Sequence, residues 1–186
     1  SSLFDNCFTA KRILSLQQGY TNFMTDIKTP EDHIILVPID FSDSSLNAVY
    51  YAVEMANLFD SEITLLHVLS NSTLQSLFTN DSEIALLRDK VRDKLKETKE
   101  EILVKWPAMR VNAMVAEGKP YKVINRVATE NKTDTIVMGT NGVNGMEAFA
   151  GSTTSRVLKS SEIPVIAVKE KQTNPTFNKI VLPIDL

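Results

Sequence analysis

Four of the chain's six glycines, Gly139, Gly142, Gly145 and Gly151, fall within thirteen residues. They follow the aliphatic run Thr135 to Met138 and precede Ser152-Thr153-Thr154, where a helical pattern begins. Glycine allows main-chain N–H groups to approach an anion closely, and a helix start adds unsatisfied donors and the positive end of a dipole. The segment could therefore cradle a phosphate. Ser152 and Thr153 would each offer a hydroxyl, and Arg156, one turn on, a charge if its side chain turns back toward the loop. The same residues also read as a flexible strand-to-helix connection with Ser152 as an ordinary N-cap. No GxxxxGK[ST] occurs and no GxGxxG follows the first strand, which disfavours ordinary P-loop and Rossmann dinucleotide sites.

Asp40 ends the first aliphatic run, in Val37-Pro38-Ile39-Asp40-Phe41-Ser42. A carboxylate there could accept from a ribose or an adenine amino group, or could cap the next helix together with Ser42 and Asp43. The two histidines, His33 and His67, begin and occupy strands and have no carboxylate or cysteine at ligand spacing, so both read as structural. No G-x-S-x-G elbow is present, and catalysis by a triad is not expected. Cys7 is the single cysteine, so neither an internal disulfide nor a CxxC site can form. Trp106, Tyr50 and Tyr51 lie on helical patterns and read as packing residues.

The elements that must position these groups are short. His33 to Ile39, Ile63 to Val68, Thr135 to Met138 and Pro164 to Val168 are aliphatic runs of strand length, and Met109 to Val115 alternates as a half-covered strand does. Helical patterns lie between them. Leu46, Val49, Tyr50 and Val53 follow the cap candidates Ser42 to Ser45, and Ile84, Leu87, Val91, Leu95 and Ile102 share a face until Pro107. Pro120 opens a third helix, with Tyr121, Ile124, Val127 and Ala128 at helical spacing, and Ser152 to about Ser160 forms a fourth. Strands alternating with helices predict a doubly wound α/β domain with a parallel sheet. Right-handed crossovers cover both faces only if the strand order reverses once, and ligands bind beyond the strands' carboxyl ends at that reversal. In a 3-2-1-4-5 order, Asp40 and Gly139 would flank the crevice.

The length, 186 residues, suits one domain with extras. The expected division is an N-terminal extension over 1–30, a domain over 31–170, and a linker with one further strand over 171–186. The last part rests on a repeat: Pro38-Ile39-Asp40 recurs as Pro183-Ile184-Asp185, 145 residues on, each after an aliphatic run. The chain would then be a tandem protein cut at the first strand of a second copy, the alternative being an unrelated terminal strand. Residues 1–30 show a short helical pattern around Thr9 to Gln18, and Met24 is a candidate native start.

A formal charge of −3, from 20 basic and 23 acidic residues interspersed along the chain, disfavours a nucleic-acid partner. No apolar run approaches the ~18 residues that cross a bilayer, and no secretory pattern opens the chain. No membrane partner and a cytoplasmic location are expected.

From about His33 to Lys169 the chain resembles a universal stress protein domain. The resemblance rests on Ile35 to Ser42, Leu65-Leu66-His67-Val68, Glu117-Gly118-Lys119-Pro120, Ile136 to Gly142, Gly151-Ser152 and Pro164 to Val168. It implies a five-stranded parallel sheet in the order 3-2-1-4-5, like that of the wider adenine-nucleotide-binding superfamily, and tandem copies are known among such proteins. Its ATP-binding members resemble one another in a G-x2-G-x9-G-[ST] loop, where this chain reads G-x2-G-x8-G-S. By resemblance, Asp40 and Val68 would contact adenosine with Ile39 nearby, while Met138, Gly139, Gly142, Gly151, Ser152 and Thr153 would line the ribose and phosphate path. The implied function is a stress-response regulator that binds ATP, with Mg²⁺, and dimerises, with weak hydrolysis at most. The shorter loop favours an alternative, a nucleotide-free dimeric interaction module, although Gly145 could absorb the missing residue. An enzyme of the wider superfamily would need an SGGxDS or HIGH-type motif, and neither is present. A last strand at the sheet edge would invite a homodimer, or a pseudo-dimer with the second copy.

Overall fold

Each aliphatic run becomes a parallel strand. In a computed structural model that describes residues 33–71, 74, 80–140 and 151–169, β1 spans Ile34–Pro38, β2 Glu62–Ser70, β3 Val111–Gly118, β4 Thr135–Gly139 and β5 Val165–Val168. The connecting helices are α1 (Asp43–Phe59), α2 (Asp81–Lys105), α3 (Pro120–Glu130) and α4 (Ser152–Ser160). The sheet order is β3-β2-β1-β4-β5, with every neighbouring pair parallel. The expected doubly wound architecture is therefore the observed one.

Neighbouring residues of β1 explain why its sequence is uniformly aliphatic. Ile35, Val37 and Ile39 join Ala48, Ala52 and Val53 of α1 and Val91 and Leu95 of α2 in one buried cluster. Leu36 points the other way, packing with Leu66, Ile136 and Met138 against Val123, Ile124 and Val127 of α3 and Val157 of α4. A strand buried on both faces has no polar side to alternate with. The chain moves from β1 outward to β2 and β3, then crosses back over β1 to β4. Because crossovers keep one hand, that change of direction puts α3 and α4 on the face opposite α1 and α2. The carboxyl ends of β1 and β4 therefore form the switch point.

Local chemistry sets the element ends. Ser42 caps α1, its side chain accepting from the Ser45 N–H, and Asp60 closes that helix in the left-handed region with φ 51°. Asn80 caps α2 by accepting from the Glu83 N–H at 2.9 Å, and Trp106 ends it just ahead of Pro107. Gly118, at φ 140°, turns the chain from β3 into α3, where a Cβ would lie 2.8 Å from Val123 Cγ2. The third strand is longer than its alternation predicts: it continues past Val115 to Gly118, because the nine-residue β2 offers a partner at every position from Ile63 to Ser70. As an edge strand it leaves Ala113 exposed, and β5, the other edge, leaves Ala167 exposed. The 1–30 extension, the 171–186 segment, Gly142 and Gly145 lie outside the described residues. Among the described residues no helix is long and apolar enough to cross a membrane.

One close approach fixes the switch point. A Cβ added at Gly139 would meet Ser44 Oγ at 2.4 Å and the Ser44 carbonyl carbon and oxygen at 2.6 Å. The first turn of α1 is thus seated on the end of β4, and main chain rather than a movable side chain forms most of the obstruction. Gly139→Ala is expected to destabilise the fold by about 1–3 kcal/mol, as overpacking does. Denaturant unfolding measures this. Adding Ser44→Ala should not restore the loss, since the carbonyl remains in place.

Candidate functional site

Asp40 lies two residues past the end of β1 and stands exposed at the carboxyl edge of the sheet. Its Oδ1 accepts from the Ser42 N–H at 3.0 Å and from the Ser42 hydroxyl at 2.5 Å. The Asp40 N–H donates to Ser45 Oγ at 3.3 Å, and the Ser45 hydroxyl donates to the Ser42 carbonyl at 3.0 Å. The capping reading is the one these bonds show: the carboxylate braces the start of α1 from an exposed position at the switch point. A carboxylate oxygen can accept more than one bond, so this bracing orients the group without exhausting it.

The other expected site residues divide between the two faces of the sheet. Ile39 is buried in the α1/α2 core, and its main chain does the work at the edge. Its N–H donates to the Leu66 carbonyl at 2.9 Å, and its own carbonyl meets His67 Nδ1 at 2.8 Å. Val68, partly buried, and Met138, fully buried, pack on the α3/α4 side. Gly139 ends β4, where Thr154 Oγ1 donates to its carbonyl at 2.8 Å, and the Gly151 N–H donates to the Thr140 carbonyl. These two bonds tie the beginning of α4 to the end of β4, so Gly139, Gly151, Ser152 and Thr153 are gathered at one place.

Gly151, not Ser152, is the N-cap of α4, and no side-chain hydrogen bond caps the helix. Ser152 is instead the first helical residue, exposed, with Thr153 half-buried behind it. The Ser155 N–H closes the first turn on the Gly151 carbonyl at 2.9 Å. The N–H groups of Ser152, Thr153 and Thr154 precede any intrahelical acceptor, so the helix presents its donors and its positive end at the strand edge. Beside them the Thr140 hydroxyl is buried and has no hydrogen-bond partner among the described residues. Arg156 departs from expectation. Its guanidinium lies 5.4 Å from the centroid of the Tyr121 ring on α3 instead of turning back toward the loop. The Tyr121 face offers the guanidinium a cation–π contact.

His67, read from the sequence as structural, is held at this edge by two contacts. Its ring stacks on Phe41, with centroids 5.1 Å apart and planes 22° from parallel, and Lys94 Nζ lies 4.6 Å from the Phe41 centroid. Phe41 has φ 63°, a left-handed conformation unusual for a bulky side chain. Burial holds the His67 pKa below its ordinary value, and Lys94 pushes the same way, against the Ile39 carbonyl and the Asp40 charge. His33 sits at the far end of β1, 3.5 Å from Asp134. No group of three or more His, Cys, Asp or Glu among the described residues could hold a metal ion. A hollow of about 340 Å³ lined by Ile34, Glu62, Thr64, Asn112, Met114 and Asn131 opens at the amino ends of the strands. Asn131 there is the C-cap of α3, the negative end of a helix, which is the wrong sign for a phosphate.

The model of the universal stress protein family matches residues 33–169. Universal stress protein MJ0531 of Methanocaldococcus jannaschii is 34% identical over 140 residues, which cover 73% of this chain and 81% of that protein. The solved structure of MJ0577, a protein of the same organism, is similar at TM-score 0.61 and 27% identity, covering 76% of this chain and 98% of the other. Two more distant structures share the fold. A universal stress protein in complex with cAMP has 22% identity and TM-score 0.56, covering 74% of this chain and 96% of its own. One from Archaeoglobus fulgidus in complex with dAMP has 20% identity and TM-score 0.53, covering 74% and 97%.

The position of His67 makes stability depend on pH. Because its folded pKa is lowered, the unfolded chain binds a proton more readily than the folded one. Its contribution is complete above about pH 6.5, the ordinary histidine value, and is lost as pH falls from there toward the folded pKa. Denaturant midpoints measured from pH 7.5 to 5 should decline below pH 6.5 in the native chain and decline less in His67→Asn. Parallel curves would show that His67 does not carry the effect.

Proposed function

Since the chain belongs to the universal stress protein family, we propose that it binds an adenine nucleotide, ATP with Mg²⁺, at the β1/β4 crevice. It would act as a cytoplasmic stress-response regulator through the bound state and not through turnover. The observation that carries this reading is the start of α4: a glycine cap with no capping side chain, held against the end of β4. Donors at a helix start suit a phosphate, and the buried Thr140 hydroxyl at the end of β4 has no hydrogen-bond partner among the described residues. In this reading Asp40, Val68 and the main chain of Ile39 hold the adenosine end. Met138, Gly139, Gly142, Gly151, Ser152 and Thr153 line the ribose and phosphate path. Mg²⁺ would travel on the phosphate oxygens and neutralise their charge. The cAMP and dAMP complexes of fold neighbours support a nucleotide in this fold, at identities that carry the fold alone.

A second reading, a nucleotide-free interaction module, is favoured by two observations. Asp40 already accepts two bonds from Ser42, and Arg156 is drawn to Tyr121. Both readings include self-association. The partner would be a second copy of the domain, joined through β5, whose outer edge has no strand neighbour among the described residues.

Isothermal titration of the folded chain with ATP and Mg²⁺ separates the two readings. Saturable binding is expected, and no heat at high micromolar protein leaves only the interaction module. Ser152→Glu places a negative charge among the proposed phosphate donors while remaining favourable to the helix start. It should lower ATP affinity at least tenfold, on the order of the 1.4 kcal/mol that corresponds to that factor, with an unchanged thermal midpoint. For association, the native chain should sediment as a dimer and Ala167→Asp as a monomer; equal sedimentation of the two would count against pairing through β5.

A further inference from the structure

Alternation along β2 sends Leu66 and Val68 toward α3 and α4, and His67 toward α1 and α2. Its neighbours on that face, Leu65 and Leu69, are aliphatic and buried, so an imidazole there needs a partner for its polar edge. The partner is the Ile39 carbonyl, at 2.8 Å. A carbonyl only accepts, which assigns the proton to Nδ1 of the neutral ring. The ring's face meanwhile stacks on Phe41. His67 thus grips the residue before Asp40 and the residue after it. Ile39 is also held from its other side, because its N–H donates to the Leu66 carbonyl.

We propose that His67 is a positioning residue for the nucleoside end of the crevice. By bonding the Ile39 carbonyl and stacking on Phe41 it fixes the tight turn that presents the Asp40 carboxylate. This rests on the reading of Asp40 as an adenosine contact. The turn needs fixing because Phe41 is held at φ 63°, a conformation the chain would leave if released. The charged groups acting on the ring are Asp40 and Lys94. Lys94, over the Phe41 ring, adds a second hold on the same turn from α2.

Two substitutions separate the two parts of the grip. His67→Phe keeps a ring for Phe41 but has no donor for Ile39. His67→Asn loses the ring but places an amide nitrogen where Nδ1 stood. The first readout needs no ligand: hydrogen exchange at the Asp40 and Ser42 amides, which donate to Ser45 Oγ and Asp40 Oδ1. Exchange should quicken in His67→Phe and return toward the native rate in His67→Asn. The second readout is calorimetric affinity. His67→Phe should lose about tenfold for adenosine and the same factor for ATP, since one hydrogen bond's worth of positioning is removed and the phosphate path is untouched. His67→Asn should recover part of it. Unchanged amide exchange in a folded His67→Phe overturns the proposal, as does a loss confined to ATP. If the native chain binds neither adenosine nor ATP, the nucleotide reading fails, while the exchange measurement still decides whether His67 holds the turn.

Discussion

The seating of α1 on the end of β4 is the contact on which the rest of the molecule depends. Only a residue without a Cβ fits at position 139, because the Ser44 carbonyl occupies the space a side chain would need. That approach brings the Asp40–Ser42–Ser45 hydrogen-bond network of the first connection beside the β4–α4 junction. Parallel pairing of β1 with β4, through Ile35 and Leu36 against Thr135 and Ile136, sets the depth at which the two strands end. A bulkier residue at 139 would lift α1 away and open the α1-side core, where Val37, Ala48 and Val137 are completely or almost completely buried.

Every helix that follows a parallel strand begins at the carboxyl edge, so the positive ends of α1 to α4 are directed there. The chain treats them differently. Ser42 caps α1, with Asp43 in its first turn, and Asn80 caps α2, with Asp81 and Glu83 in its first turn. For α3, Pro120 removes one orphan donor and the Lys119 carbonyl accepts from Lys122 and Val123. The first turn of α4 has neither a capping side chain nor an acidic residue. Charge and donors are therefore neutralised locally at the first two helix starts, whereas among the described residues neither an acidic residue nor a capping side chain does so at the starts of α3 and α4. This asymmetry suits recognition of an anion.

The fold was legible because buried parallel strands and short connections leave strong marks. Val37-Pro38-Ile39 and Ile136-Val137-Met138 are too short and too aliphatic to be helices, and Pro120 and Pro107 punctuate the helices beside them. The length of β3 was not legible, since Ala116-Glu117-Gly118 is drawn into the sheet by pairing with Val68-Leu69-Ser70, a partner distant in sequence. Cap identity failed for a related reason. Asn80 precedes the apolar pattern without belonging to it, and Ser152 looked like a cap although Gly151 takes that position. Of the crevice, Asp40 and the glycine-rich junction announced themselves by type and spacing. His67 did not, because its importance comes from a carbonyl 28 positions away and from a ring whose backbone angle no sequence pattern foretells.

Phe41 shows how the free crevice can already be shaped. A left-handed backbone costs a residue other than glycine roughly 1–2 kcal/mol, and a bulky aromatic has no side-chain hydrogen bond with which to compensate. An aromatic pair contributes about 0.5–1.5 kcal/mol and an exposed cation–π contact about 0.5–1 kcal/mol. Phe41 makes one of each, with His67 and Lys94. The gains from these two neighbours offset the strain without a large surplus, and the His67 bond to the Ile39 carbonyl, on the other side of Asp40, adds to the hold. Those neighbours come from β2 and α2, elements whose own positions are set by the core around Leu65 and Leu95. The turn carrying Asp40 is thus fixed by the packed fold before any ligand arrives, and a nucleoside meeting it need not supply the free energy of ordering it.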